Sequence, residues 1–275
     1  MERFGGTNVL VTGGSSGIGR AVVLEFASEG ARVLAVGRNE ERLAETKAMA
    51  ADPNRVETTV VDVGIPAQAR LMVEQAVGLF GRLHVLVNNA GIAYTDPVLE
   101  LPEDHWFETF DVNLHGPFFA SQAAARHMVE HGGGAIVNIA STDAFSAESP
   151  QTHYNSSKAA LVMMTRSFAH ELGHLGVRAN CVAPGQTITP MVDMDMDQPD
   201  FVREYLKRVP MHRAASPSEQ ARVVLFLASE DASYVNGETI IVDGGQLTGT
   251  WYYPSDEPPV EDPMLADPTG GRLPS

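Results

Sequence analysis

The stretch Thr12-Gly13-Gly14-Ser15-Ser16-Gly17-Ile18-Gly19 stands between a β-branched run, Asn8-Val9-Leu10-Val11-Thr12, and a helical pattern that extends from Arg20 to Glu29. Glycines at positions 13, 17 and 19 allow a tight turn, close approach of the backbone to a pyrophosphate, and close packing of helix on strand. The helix N-terminus adds free N–H groups and the positive end of the helix dipole. This order predicts a dinucleotide-binding unit, and the alternative is a glycine-rich turn without a ligand.

Short apolar runs alternate with longer amphipathic stretches along the rest of the chain. Seven runs are candidate strands: 8–12, 32–36, 56–61, 83–87, 135–139, 178–182 and 239–242. Segments with apolar residues at helical spacing are 19–29, 40–51, 67–80 and 156–172. Strict alternation predicts an α/β fold: a single Rossmann-type doubly wound parallel sheet of about seven strands with helices on both faces. The strands are continuously apolar, which is typical of strands buried on both faces.

Two segments interrupt this rhythm and define the predicted organisation. Residues 1–245 contain no repeat or linker and form one predicted dinucleotide-binding catalytic domain, within which a Met- and Asp-rich segment at about 190–210 is a predicted substrate lid. Residues 246–275 hold six of the 17 prolines and several acidic residues. They form a predicted C-terminal arm with aromatic anchors, and a disordered acidic tail is the alternative.

Composition and charge exclude several classes of protein. The 275 residues include 35 Asp and Glu against 19 Lys and Arg, a formal charge of −16 that disfavours nucleic acid and anionic membranes as partners. No apolar run approaches the length of a membrane helix, and the first residues lack a leader pattern, so the expected location is the cytoplasm. The single cysteine, Cys181, rules out an intrachain disulfide, and no histidine pair has metal-ligand spacing, so no metal is expected.

A second group of residues carries reactive chemistry. Ser141 is followed by Tyr154 and then by Lys158, in Tyr154-Asn155-Ser156-Ser157-Lys158. Residues four apart share a helix face, so Lys158 can lie below the phenol of Tyr154. A nearby ammonium favours the phenolate and is expected to lower the pKa of Tyr154 toward working pH. A Tyr and a Lys at this spacing are common by chance, so the pair indicates a function only together with the other motifs of the chain.

The combination of these features with Asn88-Asn89-Ala90-Gly91 and Asn113 resembles the short-chain dehydrogenase/reductase family over residues 7–245. The resemblance implies hydride transfer between a nicotinamide cofactor and a small secondary alcohol or ketone. It implies Tyr154 as general acid and base, and Ser141 as the donor to the substrate oxygen. Lys158 would bind the nicotinamide ribose and tune Tyr154, and Asn113 would hold a water in a proton relay.

The resemblance also implies a cofactor site that extends along the chain. Asp62 would hold the adenine, the 88–91 segment would border the adenosine ribose, and the Pro184-Gly185 turn with Thr189 would hold the carboxamide. Thr187 stands where the family usually has Val or Ile. The complete expected set is Gly13, Ser15, Ser16, Gly17, Ile18, Gly19, Arg38, Asp62, Val63, Asn89, Ala90, Gly91, Tyr154, Lys158, Pro184, Gly185, Thr187 and Thr189.

The choice of nicotinamide cofactor depends on charge at the end of the second strand. An acidic residue there binds the ribose 2′-hydroxyl of NAD and repels a 2′-phosphate. This chain has Val36-Gly37-Arg38-Asn39, and Arg38 can pair with a phosphate. The sequence therefore predicts NADP(H). NAD(H) stays an alternative, because Arg38 can be a solvated residue that Glu40 and Glu41 partly neutralise.

The substrate is predicted from charge between residues 193 and 200, and the assembly from the family resemblance. Four aspartates between 193 and 200 argue against anionic acyl-carrier or coenzyme A substrates, so a neutral alcohol/ketone pair is expected. The alternatives are a 3-oxoacyl-(acyl-carrier-protein) reductase, an NAD-dependent alcohol or sugar dehydrogenase, and a cofactor-binding regulator without chemistry. The resemblance implies a homotetramer, or a dimer, built through the helices after the fourth and fifth strands.

Overall fold

The computed structural model describes residues 2–191 and 206–249. Its centre is a seven-stranded sheet in which every pair of neighbours is parallel. The strands are β1 Asn8–Thr12, β2 Arg32–Gly37, β3 Val56–Val60, β4 Val85–Asn88, β5 Gly134–Ile139, β6 Val177–Pro184 and β7 Thr239–Val242. All seven candidate strands are present, so the predicted Rossmann-type doubly wound fold is confirmed.

Helices occupy the connections between these strands. They are α1 Gly17–Ser28, α2 Glu40–Met49, α3 Pro66–Phe80, α4 Glu103–Phe110, α5 Gly116–Glu130, α6 Thr152–Leu172 and α7 Pro217–Ala228. A π-helical turn, Asp111–His115, joins α4 to α5. Of these, α1, α2, α3 and α6 coincide with the segments of helical spacing in the sequence.

The strand order β3-β2-β1-β4-β5-β6-β7 reverses between β1 and β4. In doubly wound sheets, the crevice at the carboxyl ends of the strands on either side of such a reversal is the usual ligand site. The residues that follow β1 and β4 are the glycine loop and the Asn89-Ala90-Gly91 segment. The topology therefore brings these two distant parts of the sequence to one crevice.

The core consists of two layers, one on each face of the sheet. Successive strand residues face opposite sides, so Val9 and Val11 belong to one layer and Leu10 to the other. Helices α1, α2 and α7 cover the first layer, and α3, α5 and α6 cover the second. Burial on both faces explains why the central strands β1 and β4 are mostly apolar, whereas the edge strand β3 contains Glu57, Thr58 and Thr59 and is partly exposed.

A buried row of polar side chains crosses the second layer near the carboxyl ends of β4, β5 and β6. Asn88 Nδ2 donates to Ser121 Oγ at 2.9 Å and to Asn138 Oδ1 at 2.7 Å. Asn138 Nδ2 donates in turn to Thr165 Oγ1 at 2.7 Å, which lies 3.0 Å from Cys181 Sγ. Because buried polar groups require partners, this row fixes α5 and α6 against the sheet.

Two predicted features lie largely outside the described residues. The lid prediction, at about 190–210, falls mostly on residues 192–205, and the arm prediction, at 246–275, falls mostly on residues 250–275. Within residues 2–191 and 206–249, no helix combines the length and apolar character that crossing a bilayer requires.

Two histidines near the amino ends of β1 and β4 accept backbone hydrogen bonds. His84 Nδ1 accepts from Asn8 N at 3.0 Å, and His127 Nε2 accepts from Leu83 N at 3.2 Å. Burial, together with the nearby Arg82 guanidinium, lowers the pKa of both imidazoles. An imidazole that accepts in this way is neutral, so protonation opposes the folded state.

We expect the free energy of unfolding to fall as pH decreases below about 6.5, the ordinary pKa of histidine. The unfolded chain there binds protons that the folded His84 and His127 do not, so stability is present above this pH and is lost below it. Urea unfolding between pH 5 and pH 8 measures the slope. The double variant H84N/H127N should show a shallower slope than the wild-type chain, and an equal or steeper slope contradicts this assignment.

Candidate active site

The glycine loop after β1 is closely packed against its neighbours. Gly13 has φ of +67°, and a Cβ at this position would lie 2.7 Å from Asn89 Nδ2. A Cβ on Gly19 would overlap the Gly13 carbonyl oxygen and the Asn89 amide. Gly17 has φ of +51° and faces Thr189 from the other side of the crevice. A side chain at position 13 or 19 would clash with Asn89 or with the loop backbone, and one at position 17 would crowd Thr189.

Asn89 and Thr12 connect this loop to the end of β4. Asn89 Nδ2 donates to Thr12 O at 3.0 Å and to Gly13 O at 3.2 Å. Thr12 Oγ1 accepts from the backbone N–H groups of Asn89 and Ala90 at 2.9 and 3.0 Å. The predicted segment Asn88–Gly91 therefore supports the loop directly, and Asn88 belongs to the buried polar row.

Helix-on-strand packing involves a glycine other than the one expected. The sequence analysis attributed the turn, the approach to a pyrophosphate and this packing jointly to the glycines at 13, 17 and 19, yet Gly19 is crowded by the loop itself. A Cβ on Gly14 would lie 2.9 Å from Ala35 Cβ on β2 and 3.1 Å from Val23 Cγ2 on α1. Gly14 is thus the position where α1 approaches the sheet. In the sequence, the adjacent pair Gly13-Gly14 was the feature that could have indicated this packing role.

The N-terminus of α1 faces the same cleft. Its N-cap residue, Ser16, makes no side-chain capping bond to the first turn. Ser15, Ser16, Gly17 and Ile18 all line the cleft. Glycines without side chains and uncapped N–H groups at a helix N-terminus suit a pyrophosphate, so these residues fit the dinucleotide that the sequence predicts.

The outer end of the cleft carries positive charge. Arg38 follows β2 and is exposed at the cleft wall beside Ser15. Arg42, in the first turn of α2, lines the same wall and was missed by the sequence analysis. Arg42 lies four residues after Arg38, and this spacing could have identified it from the sequence. Glu40 and Glu41, considered above as neutralising groups, do not line the cleft.

The cleft wall after β3 contains Asp62, which the resemblance implies would hold the adenine, and Val63. One oxygen of the Asp62 carboxylate accepts from Gly64 N at 2.9 Å, and the Asp62 backbone N–H donates to Gln68 Oε1 at 2.9 Å. These bonds fix the turn after β3, so the Asp62 side chain has a defined position at the cleft wall.

Three predicted residues come together at the inner end of the cleft. Ser141 lies two residues after the end of β5, and Tyr154 and Lys158 lie one turn apart on α6. The Lys158 ammonium lies 5.5 Å from the centroid of the Tyr154 ring, and it donates to the Ile139 carbonyl at 2.8 Å. Ser141 Oγ accepts from Asp143 N at 3.1 Å, which leaves its hydroxyl proton for another partner.

The pKa of Tyr154 lies above its ordinary value, which corrects the expectation that Lys158 lowers it. Burial of the phenol is the largest cause, and the Asp143 carboxylate adds to it, while a hydrogen bond with Ser141 acts in the opposite direction. Burial disfavours the phenolate more than the protein's own groups favour it. By these groups alone Tyr154 is a neutral phenol, and therefore a proton donor, at neutral pH.

Burial also lowers the pKa of Lys158, to about 8. The side chain is almost completely enclosed, and desolvation of the ammonium is the largest cause. The Asp143 carboxylate partly opposes this shift. Lys158 therefore changes charge close to physiological pH, a property that the Tyr-x-x-x-Lys spacing does not predict.

Asn113 lies behind the cleft and does not line it. Its amide is fully buried in the π-helical turn, where Oδ1 accepts from Ile92 N at 2.9 Å. Nδ2 donates to Ile92 O at 2.9 Å and to Ser157 Oγ at 3.1 Å. The side chain connects the segment after β4 to α6, so only the main chain of Asn113 is left for the expected water relay.

The Pro184-Gly185 turn after β6 forms the remaining wall. Thr187 is buried, and its hydroxyl donates to Gly185 O at 3.0 Å while accepting from Gln220 Nε2 at 3.2 Å. Its hydroxyl therefore has partners where the family usually has an apolar side chain. Thr189 contacts Gly17 and brings this wall to the glycine loop.

These elements enclose one cleft of about 500 Å³. Of the predicted residues, Gly19 and Asn113 lie behind it, and the others line it. The lining residues among the predicted set are Gly13, Ser15, Ser16, Gly17, Ile18, Arg38, Asp62, Val63, Asn89, Ala90, Gly91, Ser141, Tyr154, Lys158, Pro184, Gly185, Thr187 and Thr189. Within the described residues, no three His, Cys, Asp or Glu side chains could hold a metal ion together.

Sequence reasoning missed the polar residues at the inner end of the cleft. Asp143, Glu148 and Gln151 line it close to Ser141 and Tyr154. Burial raises the pKa of the Asp143 carboxyl, although hydrogen bonds with Ser141 and Thr142 partly oppose this shift. Asp143 is two residues from Ser141, and this proximity was the available indication.

We expect Gly19→Ala to destabilise the fold by about 2 kcal/mol or more and to weaken dinucleotide binding, because the new methyl group overlaps the Gly13 carbonyl. Chemical denaturation and cofactor titration measure the two effects. Gly78→Ala is the matched control, since it adds a methyl to α3 where nothing lies within 4 Å. The control should stabilise the chain by about 0.5–1 kcal/mol. Equal effects of the two variants contradict the packing argument.

The chain is similar to known oxidoreductases over most of its length. The family model described as enoyl-(acyl carrier protein) reductase matches residues 13–246. L-Rhamnose-1-dehydrogenase of Scheffersomyces stipitis is 39% identical over 247 residues, which cover 87% of this chain and 95% of that protein. The 3-oxoacyl-(acyl-carrier-protein) reductase FabG of Thermotoga maritima is 40% identical over 245 residues, with coverage of 88% and 98%.

Solved structures agree with these relatives. Levodione reductase superimposes with a TM-score of 0.84 at 36% identity, and the match covers 89% of this chain and 98% of that one. A putative NAD(P)-dependent gluconate 5-dehydrogenase from Beutenbergia cavernae, with NADP bound at low occupancy, also gives 0.84, at 35% identity with coverage of 90% and 99%. The similarity extends over nearly all of the described part of this chain.

Proposed function

The chain belongs to the short-chain dehydrogenase/reductase family of oxidoreductases, and we propose that it transfers a hydride between NADP(H) and a neutral secondary alcohol or ketone. The observation that carries this proposal is that Ser141, Tyr154 and Lys158 share one cleft with the glycine loop. A substrate at the inner end would lie against the hydroxyl groups of Ser141 and Tyr154. When bound, the nicotinamide supplies the hydride chemistry, and the protein supplies position and charge.

Proton transfer is the part of the reaction that we assign to Tyr154. In the reducing direction, its neutral phenol donates a proton to the substrate oxygen as the carbonyl becomes an alcohol. The Ser141 hydroxyl donates to the same oxygen and stabilises its developing negative charge. In the oxidising direction, the phenolate takes the hydroxyl proton. The raised pKa of Tyr154 disfavours formation of the phenolate that this step requires, so the Lys158 ammonium and a positively charged cofactor are needed to stabilise it.

Asn113 acts in this proposal mainly as a positioning residue. Its amide holds Ile92 and Ser157, and thereby places the segment after β4 beside Lys158 on α6. A water held by Asn113 in a proton relay stays a prediction.

We expect Tyr154→Phe to reduce kcat on the order of 10²-fold or more, because general acid–base catalysis contributes about 10²–10⁴-fold. NADPH binding should change little, since the ring is retained. Steady-state absorbance of NADPH and a fluorescence titration of the free enzyme measure the two properties. An unchanged kcat would falsify the role of Tyr154, and loss of NADPH binding would show that the variant tests structure instead.

The cofactor preference that we propose is NADP(H), supported by charge at the outer end of the cleft. Arg38 and Arg42 both line this end, and both can pair with a 2′-phosphate. The residues that line it include no carboxylate at the turn after β2. Since a 2′-phosphate adds negative charge to the ribose, two guanidinium groups favour NADP(H) over NAD(H).

We expect Arg38→Asp to raise the KM for NADPH about tenfold or more, and to lower the KM for NADH. A charge-assisted hydrogen bond contributes about 1.5–3 kcal/mol, and the new carboxylate can bind the ribose hydroxyl. Arg32→Asp, at the amino end of the same strand and away from the cleft, is the control with the same change in charge. A wild-type preference for NADH, or an equal effect of both variants, contradicts the proposal.

A second candidate function is reduction of a 3-oxoacyl chain on acyl carrier protein. The description of the matching family model and the similarity to FabG favour it. The carboxylates of Asp143 and Glu148 at the inner end of the cleft favour a neutral small molecule instead. A 3-oxoacyl thioester assayed beside neutral ketones separates the two candidates. An NAD-dependent alcohol or sugar dehydrogenase is separated by the cofactor comparison above.

We further propose a cytoplasmic homotetramer, or a dimer, built through α4, α5 and α6. Exposed apolar side chains on these helices support such an interface: Phe107 on α4 is 60% exposed and Met163 on α6 is 58% exposed. The buried, unpaired thiol of Cys181 is compatible with a reducing compartment. The arm at 246–275 would pack on a neighbouring subunit.

Light scattering should give four times, or twice, the 29.5 kDa mass of one chain. Met163→Glu places a charge in the proposed interface and should shift the mass toward that of the monomer. A monomeric wild-type protein, or an unchanged mass in the variant, argues against an interface through α6.

A further inference from the structure

Asp143 has a position that the reaction scheme above does not use. It lies in the 3₁₀ turn Thr142–Ala144, which follows β5. Its backbone N–H donates to Ser141 Oγ at 3.1 Å, so the turn that orients Ser141 also places the Asp143 side chain. The half-buried carboxylate lines the cleft beside Ser141 and Tyr154. A ligand whose oxygen contacts Ser141 and Tyr154 would therefore have Asp143 next to it.

The carboxylate acts electrostatically on the reacting groups. It raises the pKa of both Tyr154 and Lys158, which places it within range of the phenol and of the ammonium. Its hydrogen-bond partners within the protein are the side-chain hydroxyls of Ser141 and Thr142, and Thr142 Oγ1 is 3.4 Å from Oδ1. Among the described residues, no basic side chain forms an ion pair with it.

A half-buried carboxylate is stabilised by hydrogen-bond donors, and each of its oxygens can accept more than one. The protein supplies two hydroxyl donors and no cation here, so the two carboxylate oxygens can accept further hydrogen bonds from a ligand. An anionic ligand is disfavoured, because Glu148 adds a second carboxyl group to the same wall. A cationic amine is disfavoured by the Lys158 ammonium in the same cleft. A neutral hydroxyl group is a hydrogen-bond donor that is repelled neither by these carboxyl groups nor by the Lys158 ammonium.

We propose that Asp143 is a specificity-determining residue that accepts a hydrogen bond from a second substrate hydroxyl, on the carbon next to the one that is oxidised or reduced. The substrate class is then a neutral polyol, in the form of a vicinal diol and its α-hydroxy ketone. The inference rests on the proposed function, because it places the reacting oxygen at Ser141 and Tyr154.

The test compares ketones with and without the adjacent hydroxyl group. The matched pairs are acetoin with butan-2-one, and 2-hydroxycyclohexanone with cyclohexanone, each reduced with NADPH. Wild-type kcat/KM should be at least about tenfold higher for the hydroxy ketone of each pair, a factor that corresponds to about 1.4 kcal/mol. Asp143→Asn and Asp143→Leu should lower this ratio toward one, and NADPH titration checks that both variants fold.

Glu103→Gln is the matched control, because it removes one exposed carboxylate at the start of α4, outside the cleft. It should keep the wild-type ratio. The inference is overturned if the wild-type ratio is one, if neither Asp143 variant changes it, or if Glu103→Gln changes it equally. It is also overturned if aminoacetone is reduced more efficiently than hydroxyacetone, since the carboxylate then selects a cation.

The outcomes also separate this inference from the proposed function. Equal reduction of both members of each pair removes the role of Asp143 and leaves the NADPH-dependent ketone reductase intact. If NADPH binds and neither member is reduced, the proposed function and the inference both fail. If Tyr154→Phe keeps the wild-type kcat and still prefers the hydroxy ketone, the catalytic role of Tyr154 is contradicted and the role of Asp143 is not.

Discussion

The close contact between the glycine loop and Asn89 is the constraint on which the cleft depends. Gly19 lies so near the Gly13 carbonyl and the Asn89 amide that a methyl group would not fit. The Asn89 amide donates to Thr12 and Gly13, so the loop and the end of β4 form one unit at the point where strand order reverses. The N-terminus of α1 is thereby directed into the crevice.

The reacting end shows how burial and charge act against each other. Enclosure raises the pKa of Tyr154 and lowers that of Lys158, so each group is displaced toward its neutral form. A neutral phenol suits proton donation, and an ammonium close to its pKa responds to small changes of nearby charge. The buried polar row of Asn88, Asn138 and Thr165 holds α6 against the sheet, and so maintains this geometry.

Charge is distributed unevenly along the cleft, although the chain carries a formal charge of −16. Arg38 and Arg42 line the outer end, where a phosphate would bind, and Asp143 and Glu148 line the inner end, where the substrate would bind. Under the proposed function, opposite signs at the two ends favour one orientation of a bound dinucleotide and a neutral substrate at the inner end. The net charge alone does not contain this information.

The sequence by itself determined the alternation of strands and helices, the glycine loop and the Ser141, Tyr154 and Lys158 set, because these depend on local spacing and on side-chain periodicity. Arg42, Asp143 and the packing role of Gly14 became evident only in the tertiary structure, which brings separate strand ends together. The direction of the Tyr154 pKa shift was also decided there. Desolvation depends on everything that encloses a group, and spacing along the chain does not specify that enclosure.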